Sequence, residues 1–189
     1  MRPEKGLEGR IAVLSLGLLC ACGTAKYALN PDGSEPDLYR AAEVLKWPIV
    51  DGAHQSPSGS ARIYIDPSVK FDNDVRLGNG VKLAANAFID EDVMLFPNVT
   101  VGEGSEVGGD AIVQGDVRIG KKVVIRGDAM IGAGSVIEDG ATVGKRARLG
   151  NNVTVGAGST VGAGSVIGDG MVIPKGKHLP PSTRMSANQ

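Results

Sequence analysis

Val155-Gly156-Ala157-Gly158-Ser159-Thr160 is followed without a break by Val161-Gly162-Ala163-Gly164-Ser165-Val166. Each unit opens on an aliphatic residue, turns through small residues, and puts a small or β-branched residue at its fifth place. The spacing extends outward, with openers every sixth residue from Ile65, Phe71, Leu77 and Leu83 to Ile167 and Ile173. None of these nineteen openers is polar, and nothing is inserted between any two units. Fifth positions follow suit, from Val69, Val75 and Val81 to Ser159, Ser165 and Met171. A helix repeats its apolar positions roughly every three or four residues and a simple strand about every two. A strict six fits neither, and a fixed short period marks a solenoid.

Within a unit, the fifth, sixth and next first residues read as a short strand pointing in, out and in. Second to fourth residues make the corner, where Gly, Asn and Asp accept unusual backbone angles. Three strands and three corners close a coil of eighteen residues. From Ile65 to about Pro174 the chain resembles the left-handed parallel β-helix of the hexapeptide-repeat superfamily. The resemblance implies an all-β fold of about six triangular coils, here assigned to residues 63–178 with a tail at 179–189. The left hand comes from the resemblance alone, since the usual crossover rule favours the opposite one.

Positions eighteen apart must stack, which sorts the outward residues into three faces. One carries Lys70, Phe88, Glu106, Val124, Thr142 and Thr160, and another Lys82, Thr100, Arg118, Val136, Thr154 and Val172. On the remaining face Met94, Ile112 and Met130 form an apolar stripe between Arg76 and Arg148. A contiguous exposed apolar patch marks a contact surface. Members of the superfamily are commonly parallel homotrimers, and the stripe is where that contact is expected. Asp74, Asp92, Asp110 and Asp128 share the fourth place of their units and stack along one edge beside Asp72, Asp90 and Glu91. Stacked carboxylates suit hard cations, so the edge is a calcium candidate. The plainer reading is that Asp is a good corner residue.

Ahead of the repeat, Arg2, Lys5 and Arg10 precede the apolar run Ile11 to Cys22, which is too short to span a bilayer but suits the core of a secretory signal. Leu19-Cys20-Ala21-Cys22 resembles a bacterial lipobox, which implies lipidation at Cys22, a signal at residues 1–22 and an envelope location. The alternative is a buried element in a cytoplasmic protein. Residues 23–62 read as linker with one short helix, started by Ser34 and Pro36 and ended by Trp47-Pro48. Leu38, Ala41, Ala42 and Leu45 fall on one face of that helix, which is expected to cap the open first coil. Gly52 to Ser60 reads as a second connector.

Net charge is −1 over 189 residues with both signs mixed, which argues against a nucleic-acid partner. Glycine, at 28 residues, is periodic and marks corners. The acyl-CoA-dependent acyltransferases that share this repeat use a histidine as general base toward a sugar hydroxyl or amine. They often also throw out a loop over the substrate. This chain has two histidines, His54 and His178, neither placed within the regular coils, and its repeat has no loop. His178, beside Lys175, Lys177 and Arg184, is the catalytic candidate if a coenzyme A thioester is the substrate. The same residues, with Pro174, Pro180 and Pro181, also read as a stop to the repeat. Arg126-Gly127-Asp128 is similar to a stretch of the γ-class carbonic anhydrases, where Arg and Asp pair across subunits, so both join the expected subunit contact. The zinc histidines of that family are missing. Regularity favours a non-catalytic, envelope-anchored trimeric scaffold without cofactor, with an acyl-CoA-dependent acyltransferase as the alternative.

Overall fold

The computed structural model describes residues 37–186. The apolar run, Cys22 and the Ser34 and Pro36 helix start lie outside the described residues. Among the described residues there are twenty-four short strands, β1 to β24 in chain order, and one helix, α1. From β4 (Arg62–Ile65) to β24 (Arg184–Met185) the strands distribute over three parallel sheets of seven, one strand per sheet per turn. The chain is therefore a parallel β-solenoid of seven turns.

Every partner in these ladders is eighteen residues away. Thr142 lies between Val124 and Thr160, and Ile112 between Met94 and Met130. The three outward faces read from the repeat are thus the three sheets. Openers and fifth positions point inward: Leu77, Ile89, Val101, Ile125, Val143, Ala147 and Ile167 are all buried in one continuous core. Corners obey a single rule. All nineteen fourth-position residues from Asp74 to Ser182 have positive φ, whether Gly, Asn, Asp, Lys122 or Arg146. Second positions are tight in a different way. A Cβ on Gly144 would come within 2.5 Å of Ala163 N in the turn above.

The seventh turn exceeds the six expected, because Leu179 and Met185 continue the series of openers in β23 (His178–Leu179) and β24. The prolines do not end the coil early. A second-position N–H donates to the opener of the next turn, as Gly156 does to Ile173 O at 2.8 Å and Gly168 to Met185 O at 2.7 Å. Above the last turn no described strand offers that acceptor, so Pro174 and Pro180 forfeit no ladder bond.

At the other end the linker is more structured than its composition suggested. β1 (Leu38–Arg40) pairs antiparallel with β6 (Arg76–Gly78). β2 (Ile49–Val50) and β3 (Ala53–Gln55) form a hairpin that pairs onto β4, so the expected connector from Gly52 is partly strand. The helix α1 spans only Ala41–Val44. Leu38 lies in β1, because the open edge of β6 satisfies an extended backbone better than one more helical turn would. Ala41 and Val44 are buried and Ala42 and Leu45 are exposed, so the inward face is displaced from the one expected. Ala41 N–H donates to Val75 O at 2.9 Å, and Val44 joins the core.

Candidate functional site

His178 occupies the outward sixth position of its unit in β23, inside the seventh turn, whereas the sequence reading left it outside the coils. The pairing of β23 with β20 (Thr160–Val161) sets it directly on Thr160, and its Nδ1 lies 3.1 Å from Thr160 Oγ1. The imidazole is exposed, as are Lys175 and Lys177 in the preceding corner and Arg184 in β24 on the next sheet. Charge is graded along the axis. Between residues 140 and 186 six cations stand against one acid, Asp169, and between 37 and 110 twelve acids stand against six cations. The turns nearest His178 are therefore the basic end of the solenoid.

A shallow groove of about 360 Å³ leads toward that end, lined by Arg118, Ile119, Gly120, Val136, Ile137, Glu138, Asp139 and Ala157. Its two carboxylates are already engaged in the corner: Glu138 Oε2 accepts from Ala157 N–H at 2.8 Å and Asp139 Oδ1 from Lys121 N–H at 2.8 Å. Gly176 N–H donates to Ala157 O at 2.9 Å, which places Lys175 one turn above the upper wall of the groove. The groove, the lysines and His178 thus follow one corner of the prism. Sequence reasoning missed the groove and the Thr160 partner, although stacking at eighteen residues predicts the latter once His178 is counted as a coil residue.

The other candidates fall elsewhere. Asp74, Asp92, Asp110 and Asp128 stack as read, with φ of 52°, 55°, 58° and 59°. Asp74 lies 3.4 Å from Arg40, and Asp128 lies 3.4 Å from Lys145 and 3.8 Å from Arg146. Among the described residues no three His, Cys, Asp or Glu side chains converge on a point that could hold a metal ion. Met94, Ile112 and Met130 align in one ladder and are each half-buried within the single chain. Arg126 pairs with Glu106 at 3.8 Å. His54 is buried in β3, and its Nδ1 has no hydrogen-bond partner among the described residues.

A family model described as bacterial transferase hexapeptide (six repeats) matches residues 134–169. Residues 134–169 thus carry the hexapeptide repeat that this family model describes. The coils of the chain are similar to the acetyltransferase domain of PglB from Neisseria gonorrhoeae in complex with acetyl coenzyme A, with 26% identity and a TM-score of 0.59. That match covers 62% of this chain and 57% of the other. A mutant of perosamine N-acetyltransferase from Caulobacter crescentus, in complex with CoA and GDP-perosamine, is 26% identical with a TM-score of 0.56, covering 59% of this chain and 52% of the other. The chain spans just over half the length of these structures. No curated protein matches the sequence.

Proposed function

We propose that the protein is an acyl-CoA-dependent acyltransferase acting on an amine or hydroxyl of a sugar-like acceptor. The observation that carries this is the likeness of its coils to two acetyltransferase structures that hold acetyl-CoA or CoA. Supporting it, Lys175, Lys177 and Arg184 form a cationic end suited to the phosphates of the nucleotide moiety. The groove from Arg118 to Ala157 would take the thioester arm along the same corner. Thr160 orients His178 through Nδ1, leaving Nε2 to face solvent and act as base. The acceptor nitrogen or oxygen attacks the thioester carbonyl, a C–N or C–O bond forms, and the C–S bond breaks. The imidazolium then returns the proton to the departing thiolate. Three copies would associate through Met94, Ile112 and Met130, with Arg126 and Asp128 nearby.

A second reading, the non-catalytic scaffold, is favoured by the unbroken coils and by the orienting partner of His178 being a hydroxyl where a general base is more often held by a carboxylate. Envelope placement with lipid on Cys22 belongs with that reading, since acyl-CoA is a cytosolic donor. Calorimetry with acetyl-CoA and a turnover assay on nucleotide-linked amino sugars separate the two. The enzyme reading expects saturable binding and a loss of about 10²-fold or more in kcat for His178→Ala with binding retained. Absence of acyl-CoA binding removes it. Fatty-acid labelling that is lost in Cys22→Ser would then mark the scaffold.

A further inference from the structure

Five large apolar side chains are exposed among the described residues, and three of them fall within six residues of the N-terminal cap. Leu45 is 49% exposed, Ile49 68% and Val50 39%. Phe88 and Val172, the other two, sit singly on the coil faces. β2 adds to the patch as an edge strand, since among the described residues it terminates its sheet and pairs only with β3. Trp47, half-buried against Tyr39 with ring centroids 5.0 Å apart, stands between Leu45 and Ile49 in the chain. β2 is only two residues long, between Pro48 and Asp51, which blunts it against strand pairing and leaves its exposed apolar side chains as the surface to be covered.

We propose that this cap is a lipid-facing surface, seated at the polar–apolar boundary of a bilayer with Leu45, Ile49 and Val50 immersed. Three observations select lipid over a protein occupant. The apolar run Ile11 to Ala21 lies upstream in the same chain, and Cys22 is fifteen residues from Asp37, at most about 50 Å at full extension. Any membrane attachment through that run therefore keeps this cap within about 50 Å of the bilayer. A tryptophan flanked by Lys46 and apolar residues is the composition that settles at headgroup level. Finally, residues 37–62 carry three acids and three bases, with Arg62 3.3 Å from Asp51. A neutral rim around an apolar centre fits a bilayer of zwitterionic lipid without needing anionic headgroups. Two weak membrane signals in one chain, run and patch, reinforce each other where either alone gives reversible binding.

Trp47 is the only tryptophan of the protein and reports on the cap directly. Full-length chain is mixed with phosphatidylcholine vesicles, with or without bromine on the acyl chains. Loss of Trp47 emission in the brominated vesicles is expected, insensitive to added salt and to anionic lipid. An Ile49→Asp/Val50→Asp variant, with its thermal melt unchanged because both residues are exposed, is expected to stay vesicle-bound through residues 11–21 and lose the quenching. A chain that ignores vesicles overturns the proposal, as does one that binds them unquenched or a variant quenched like the wild type. Concentration-dependent self-association in lipid-free buffer that vanishes in the variant assigns the patch to a second copy and also overturns it. No acyl donor enters the measurement, so its outcome is separate from that of the acyltransferase reading.

Discussion

Ser135 is fully buried, and its hydroxyl donates to Gly150 O at 3.1 Å while accepting from Val153 N–H at 3.1 Å. Ser105, Ser159 and Ser165 repeat the pattern, each bonding a carbonyl fifteen residues on and an N–H eighteen residues on. A fifth-position serine is therefore a cross-tie between turns, in a place where valine would only fill space. Removing it leaves a buried donor and acceptor without partners, which costs about 1–3 kcal/mol. Ser135→Ala is expected to lower the midpoint of thermal unfolding accordingly, and an unchanged midpoint would show that the tie carries no stability. The acidic edge has its explanation at the same scale. Its aspartates occupy the positive-φ corner that Gly140, Asn152 and Arg146 occupy elsewhere, and Asp is among the residues that tolerate it. Such residues were legible as corner formers from spacing alone. The hydroxyl ties were not, because a small polar residue at an inward position looks the same in sequence whether or not its partners are in reach.

At the scale of elements, coils and cap were unequally legible. A coil strand is specified by its own six residues and by copies above and below, so nineteen repetitions of one pattern leave little freedom. The cap has no such redundancy. Leu38 to Arg40 satisfies helical spacing and strand pairing equally well, and the open edge of β6 decides between them. The stretch from Gly52 to Ser60 looked like a connector for a similar reason: β3 exists because β4 offers an edge. The prolines after Ile173 misled in the other direction, since their missing donors matter only beneath a further turn. Because turns contact only their neighbours, damage at the cap stays local. Val44→Ala removes about two buried methyl groups from the plug, worth roughly 2 kcal/mol. Hydrogen exchange is expected to quicken in β4 to β6 and to remain unchanged from β16 (Val136–Ile137) onward. Uniform acceleration along the prism would mean that the solenoid unfolds as one unit and that the cap nucleates it.

For the whole molecule, the question is what the regular exterior is for. Two of its three sheets present mixed outward residues, whereas one aligns Met94, Ile112 and Met130 over three successive turns. All three remain half-buried in the single chain, so part of each side chain is still in water. Covering that remainder with a second copy adds apolar burial at about 25 cal/mol per Å², and closing the contact around a threefold axis makes it three times over. Arg126 and Asp128 already have partners in their own chain, at 3.8 Å to Glu106 and 3.4 Å to Lys145. These exposed pairs contribute little, so exchanging them for partners across a subunit boundary costs about 1 kcal/mol or less. The apolar stripe must then supply the affinity. Met130→Glu places a charge at the end of the stripe without touching the core, since the side chain points outward from its strand. Light scattering on the eluting peak is expected to read about one chain mass, near 19.4 kDa, for the variant and three times that for the wild type. A variant that still elutes as a trimer, with the wild-type melting profile, would move the contact to another face and leave the stripe without a role.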